Sequence, residues 1–164
     1  MPVSSPKGKT LIKEWFEGQN DIKTIVDLGC GSGTYPKLLG DEYHWIGVDI
    51  WKPYVERFEL KELYDEIITG DIEKCKLPDG DCAILGDVLE HIEKDGMIKT
   101  FHRVNRKYKH IVISIPLNSD SQYVFEGNEY EKHRSIWTAL ELERLIPSSY
   151  KIRIVFDPIA VYIK

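Results

Sequence analysis

The sequence predicts a single α/β domain. It is a three-layer sandwich in which a mostly parallel seven-stranded sheet carries helices on both faces and ends in a C-terminal antiparallel hairpin. Three observations predict it. Short apolar runs alternate with helix-period segments along nearly the whole chain, as strands joined by crossover helices do. The first apolar run ends in three alternating glycines, Gly29, Gly31 and Gly33, and the second ends on Asp49, a layout that builds a nucleotide crevice. The last two apolar runs are separated only by Asp157-Pro158, too short a link for anything but an antiparallel pair.

Each element has a local reason. From Thr10 to Gln19 the apolar residues fall at 11, 12, 15 and 16, a helical stripe closed by Gly18. Ile22 to Leu28 reads as the first strand. A short helix follows the glycines from about Thr34, with Pro36 tolerable in its first turn and Gly40 as its stop. Tyr43 to Val48 is the second strand. Pro53 to Tyr64 reads as one helix with Val55, Phe58 and Leu63 inward, and Glu66 to Thr69 is a short third strand. Leu77-Pro78-Asp79-Gly80 predicts a turn before a fourth strand, Cys82 to Leu85. A helix over Lys94 to Tyr108 leads to a central strand, Ile111 to Ile115. Residues 118–135 are polar and without period, which predicts a lid loop. Trp137 to Ile146 is a helix started by Ser135 or Thr138, and Lys151 to Phe156 with Ile159 to Ile163 forms the hairpin.

Composition sets bounds on function. The chain has 164 residues, 42% hydrophobic and 30% charged, enough for one packed core. A formal net charge of −5 disfavours a polyanion as partner, because non-specific nucleic-acid binding needs clustered Lys and Arg. Cys30, Cys75 and Cys82 form no CxxC pair, which predicts reduced thiols in a cytoplasmic protein rather than disulfides or a zinc site. Met1 to Thr10 is polar and unlike a signal peptide. No apolar run approaches the roughly 20 residues of a membrane helix.

The glycine turn carries the chemistry. At Gly29 the chain must leave the sheet and reverse, which favours a left-handed residue, and Gly31 and Gly33 leave the backbone open to a ligand. The helix beginning near Thr34 would direct free N–H groups at it. The dinucleotide fingerprint calls for Gly or Ala at position 34, where this chain has Thr34. Asp27, two residues before Gly29, would repel a pyrophosphate but suits a ligand bearing an ammonium group.

Asp27-Leu28-Gly29-Cys30-Gly31-Ser32-Gly33 resembles the first motif of the class I methyltransferases that use S-adenosylmethionine (SAM), and later landmarks recur in order across nearly the whole chain. Val48-Asp49-Ile50 resembles the second motif, whose acid accepts from both ribose hydroxyls. Gly70-Asp71-Ile72 resembles the third, at the adenine edge. Leu85-Gly86-Asp87-Val88-Leu89-Glu90-His91 resembles the fourth, beneath the methionine half. The resemblance implies SAM as cofactor, with Asp27, Gly29, Cys30, Gly31 and Gly33 around the methionine part. Asp49 and Ile50 would meet the ribose and its surroundings, Asp71 and Ile72 the adenine, and Asp87 would form the crevice floor.

Methyl transfer from a sulfonium needs an in-line nucleophile and a base only when the acceptor must lose a proton. His91, beyond the fourth strand, is the first candidate base or acceptor contact, with capping of the next helix as its structural rival. The second candidate patch is Glu129 to Ser135, which is similar to an Asn-Pro-Tyr-Glu-x-His-Arg-Ser segment of small bacterial and phage methyltransferases, with Glu129 in place of the proline. It predicts that Tyr130, His133 and Arg134 contact the acceptor and that His133 is a second catalytic candidate. The rival is a loop pinned by an Arg–Glu pair.

Lys99 to His110 is rich in cations, most simply a solvated helix face. The fourth strand lacks the Asn-Pro-Pro-Tyr type motif of many nucleic-acid and amide methyltransferases. No local cluster of metal ligands is visible, so no metal is expected. The expected partner is a small-molecule acceptor, with nucleic acid and membrane disfavoured and the oligomeric state open. The rivals are a non-catalytic scaffold of the same fold and a NAD-linked oxidoreductase, the latter disfavoured by Thr34 and Asp27.

Overall fold

The computed structural model describes residues 4–119 and 124–164. Part of the predicted lid (120–123) and the first three residues lie outside them. The elements run α1 (Lys9–Glu17), β1 (Thr24–Leu28), α2 (Thr34–Leu39), β2 (His44–Asp49), α3 (Pro53–Arg57), β3 (Glu66–Thr69), β4 (Cys82–Gly86), α4 (Lys94–Lys107), β5 (His110–Pro116), α5 (Ala139–Leu145), β6 (Ile152–Phe156) and β7 (Ile159–Ile163). The seven strands form one sheet in the order β3-β2-β1-β4-β5-β7-β6. All neighbours are parallel except β7, which runs antiparallel to both β5 and β6.

The sheet is buried on both faces because its strands are apolar at successive positions, not alternate ones. In β1, Ile25 joins the cluster containing Ile12, Tyr35 and Tyr54 from α1, α2 and α3. Val26 and Leu28 face the opposite cluster with Phe101 and Val104 of α4 and Leu142 of α5. Cys82 and Ala83 of β4 divide the same way. These two clusters are the two cores of the sandwich.

Helix ends account for most departures from the sequence reading. The predicted helix over 53–64 stops at Arg57, and Glu59 takes a left-handed φ of 52° before a short 3-10 turn at Leu60–Glu62. The break lets Leu60 and Tyr64, with Tyr54, reach the core, while Val55, Phe58 and Leu63 pack only at its margin. The stretch 77–80 contains no hydrogen-bonded turn. α5 starts later than the apolar pattern suggested because Thr138 caps it. The Thr138 hydroxyl accepts from the Glu141 N–H at 3.2 Å, and the Glu141 carboxylate accepts from the Thr138 N–H at 2.9 Å, a reciprocal capping box.

The strand order reverses between β1 and β4. β1 leads leftward through β2 to β3, and β4 leads rightward to β5. Loops leaving two such strands at their carboxyl ends diverge to opposite faces and leave a crevice between them. Here those loops are Gly29–Gly33 and Asp87–His91.

Candidate active site

A cavity of about 480 Å³ opens at this point, within the range of small-ligand pockets. It takes walls from the ends of β1, β2, β3 and β4 and from the loop before α5. Gly29, Cys30, Gly31, Asp49, Ile50, Asp71, Ile72, Asp87, His91, Tyr130, His133 and Arg134 all line it. Of the residues singled out from the sequence, Asp27 and Gly33 do not.

Gly29 makes the turn at φ 82°, and its N–H and that of Cys30 both donate to the Val48 carbonyl, at 2.8 and 3.1 Å. A Cβ at this position would stand 2.3 Å from Val88 Cγ2, so the β1 and β4 loops can approach only across a glycine. The Cys30 thiol is buried, and burial pushes it well above its ordinary pKa, which disfavours the thiolate. Gly33 sits behind the loop at the start of α2, where a Cβ would meet Leu63 Cδ1 at 2.6 Å.

Asp27 points away from the cavity for a reason of register. Two residues from Ile25 along β1, its side chain shares that residue's face, toward α1 and α3. It is 1% exposed, and Tyr64 Oη donates to Oδ2 at 2.6 Å. Burial, with a smaller push from Asp49, raises its carboxyl to about 7, against the opposing pull of the Tyr64 hydrogen bond and Lys9.

Asp49, at the end of β2, is held from both sides. Oδ2 accepts from the Gly31 N–H at 2.9 Å and Oδ1 from the Trp51 N–H at 2.8 Å. Each oxygen keeps a lone pair, so the two backbone donors fix the carboxylate plane and leave a pair of adjacent acceptors. Asp71, after β3, accepts from the Glu73 N–H at 2.9 Å and from Lys74 Nζ at 2.8 Å, capping the turn that follows. Arg103 of α4 buttresses that turn from behind, donating to the carbonyls of Ile72, Glu73 and Cys75.

Asp87 has a left-handed φ of 54°. Its Oδ1 accepts from the Ser114 hydroxyl at 2.8 Å, and its Oδ2 from the Ser4 hydroxyl at 2.9 Å and the Ser5 N–H. Lys9, 7% exposed, donates to Ser4 Oγ and to Tyr35 Oη, the latter at 2.8 Å. Burial lowers its pKa, opposed by the charges of Asp87 and Asp27. This N-terminal clasp of Ser4, Ser5, Lys9 and Tyr35 escaped the sequence reading, because nothing in local periodicity tells that residues before α1 close on β4. Tyr35 itself lies so close to Gly86 that a Cβ there would fall 2.4 Å from its hydroxyl oxygen.

The far wall is built by the described part of the loop before α5. Arg134 and Ser135 N–H groups both donate to the Glu90 carbonyl, at 2.8 and 3.0 Å. The loop is therefore pinned through its backbone, and an Arg–Glu side-chain pair, Arg57 of α3 with Glu126, holds it as well. Its other end is anchored at Tyr54, whose hydroxyl donates to Glu131 Oε1 at 2.9 Å and accepts from Asn128 Nδ2 at 3.0 Å. Tyr130 lies against Trp51, ring centroids 6.4 Å apart, on the Asp49 side of the cavity. His133 instead meets His91, centroids 5.0 Å apart. Burial holds His91 below the ordinary histidine pKa, opposed by its bond to the Lys132 carbonyl and the charge of Glu131. Glu90, inside the fourth motif but not singled out from the sequence, is 2% exposed, lines the same wall, and is pushed well above the carboxylate range by burial.

Comparison with known proteins gives this geometry its family. Residues 26–113 match the family model described as a methyltransferase domain, and no curated protein matches the sequence. A solved SAM-dependent methyltransferase from Clostridium acetobutylicum is similar with a TM-score of 0.71 at 16% identity, over 93% of this chain and 87% of that one. A SAM-dependent methyltransferase from Aquifex aeolicus gives a TM-score of 0.66 at 14% identity, over 98% and 93%. The 1,6-didemethyltoxoflavin-N1-methyltransferase of Burkholderia thailandensis, solved with its namesake ligand and S-adenosylhomocysteine (SAH), gives 0.67 at 14% identity, over 96% and 76%. Among the described residues, no helix is long and apolar enough to cross a membrane. The chain belongs to the methyltransferase-domain family and has the fold of the class I SAM-dependent methyltransferases.

Proposed function

We propose that the crevice is divided into a cofactor half and an acceptor half, and that the acceptor is a small molecule. The observation that carries the division is Asp49, whose carboxylate is fixed by the Gly31 and Trp51 N–H groups with two lone pairs left over. That pair of acceptors suits the vicinal hydroxyls of a ribose. Gly29 and Gly31 would lie along the methionine portion, Asp71 and Ile72 at the adenine, and Asp87 beneath the sulfonium. Tyr130, beside Trp51, belongs with the cofactor half rather than with the acceptor.

SAM, when bound, supplies an electrophilic methyl group on sulfur. The protein's own part is to orient and to exclude water. The Gly29 turn and the Asp87 clasp fix the floor, and the pinned lid brings His133 and the exposed Arg134 over the mouth. His91 is kept neutral by burial and so can accept a hydrogen bond or a proton from the acceptor.

Pairing within the basic stretch from Lys99 to His110 supports a small acceptor over nucleic acid. Arg103 is spent on the turn after β3, Lys107 pairs with Asp79, and Lys109 and His110 both pair with Asp21. The test is transfer from SAM labelled at its methyl group into a fractionated cell extract. Label is expected in the small-molecule fraction; label confined to nucleic acid or protein overturns the assignment.

A further inference from the structure

The acceptor wall holds a group of side chains that methyl transfer alone does not explain. Glu90, His91 and His133 each offer one ligand-type atom, and these atoms all lie within 4.8 Å of one another. Glu90 is only 2% exposed, and its Oε2 has no hydrogen-bond partner among the described residues. Its Oε1 stands 4.0 Å from His91 Nε2. A buried carboxylate oxygen without a hydrogen-bond partner is costly.

The histidine tautomers complete the picture. His91 Nδ1 lies 3.1 Å from the Lys132 carbonyl oxygen, and His133 Nδ1 lies 3.2 Å from the Ser119 carbonyl oxygen. A carbonyl can only accept, so both Nδ1 atoms carry the hydrogen and both Nε2 atoms present a lone pair. Donation of the second ring nitrogen to a backbone carbonyl is the arrangement that orients metal-ligating histidines. The lid fixes this geometry, since Glu90's own carbonyl accepts the N–H groups of Arg134 and Ser135.

We propose that Glu90, His91 and His133 bind one divalent transition-metal ion, of the zinc or cobalt type, at the acceptor side of the crevice. Two imidazoles and one carboxylate form a three-ligand set that leaves a coordination position open. Metal–ligand bonds of about 2.0–2.2 Å require the three atoms to close in. All three residues line the cavity, so on the two-half reading above an open position would take water or an oxygen of the acceptor. The ion site itself does not depend on that reading.

The test is a titration of the chelator-treated full chain with cobalt(II) chloride, read by visible d–d absorption, beside calorimetry of SAH binding on the same sample. One equivalent of cobalt is expected, with at least a tenfold loss of affinity in Glu90→Gln and in His133→Ala, retained affinity in His44→Ala, and SAH affinity within about twofold throughout. A protein that binds SAH but gives no cobalt band, or variants that bind cobalt as tightly as the parent, overturns the ion site. A protein that binds cobalt but not SAH overturns the cofactor half and leaves the ion site standing. If a variant fails to fold, diethyl pyrocarbonate labelling of the parent replaces it. Zinc is expected to protect His91 and His133 while His44 still reacts; equal labelling of all three overturns the proposal.

Discussion

His91, on the 3-10 turn after β4, and His133, on the lid, meet edge to face with their ring centroids 5.0 Å apart and both line the cavity. The contact closes the acceptor wall, and each ring's Nδ1 is held by a backbone carbonyl. On the proposed reading, the lone pairs on the two Nε2 atoms are the groups an acceptor would meet, directly or through an ion.

His91→Ala is expected to lower turnover by about 100-fold or more, the usual scale of a lost proton-transfer or positioning group, with KM for SAM within about twofold. Because burial holds the metal-free His91 below the ordinary histidine value, the acid limb of the chelator-treated parent's rate profile should lie below about pH 6.5. That limb should vanish in the variant. Turnover of SAM to SAH from about pH 5.5 to about pH 8.5 reads both effects. Unchanged turnover across that range contradicts a role for His91 in the reaction.

Gly29→Ala should be the most damaging small change in the glycine turn. It places a side chain at φ 82° and a Cβ 2.3 Å from Val88 Cγ2. Left-handed strain of about 1–2 kcal/mol and overpacking of about 1–3 kcal/mol together predict a loss of roughly 2–5 kcal/mol. For a chain of this size that is a fall of roughly 4–20 °C in Tm. Gly127→Ala, also at φ 82° but with nothing within 4 Å of its added Cβ, should cost only the strain. Equal losses at the two sites would contradict the close approach of the β1 and β4 loops.

Asp27 makes stability depend on pH. Its carboxyl titrates at about 7 in the folded chain and near 3.9 when unfolded. Between those values the folded state holds a proton that the unfolded state has lost. The stabilisation is complete below the unfolded value and drains away as pH rises toward 7, at up to about 1.4 kcal/mol per pH unit. Asp27→Asn carries no such proton, and its side-chain oxygen can still accept from Tyr64. Denaturant unfolding at several pH values should show the variant gaining on the parent between about pH 5 and about pH 7.5. Parallel profiles would place the Asp27 carboxylate in solvent.

Much of this was legible because the fold repeats a two-part rule: apolar run, then punctuation. β3 and β7 fall on the residues the patterns marked, and the acid ending β2 stands at the crevice as its spacing predicted. Asp27 shows where motif and register part. Its place before the glycines suggested the cavity, whereas its parity with Ile25 turns it into the α1–α3 layer. The break at Glu59 and the clasp of Ser4 and Lys9 were not legible, since both depend on partners distant in sequence. Glu90 was in view within its motif, but only the return of the lid onto β4 shows what surrounds it.

The central claim is that Asp49, fixed by Gly31 and Trp51, holds the ribose of a sulfonium-bearing nucleoside. Isothermal calorimetry of SAH against the parent chain and Asp49→Ala tests it most directly, with NAD as the control ligand. The account predicts one SAH bound per chain, a weakening of roughly 10- to 100-fold in the variant from the loss of charge-assisted hydrogen bonds worth about 1.5–3 kcal/mol, and no heat from NAD. Equal SAH affinity in the two proteins, or NAD binding in place of SAH, would contradict it.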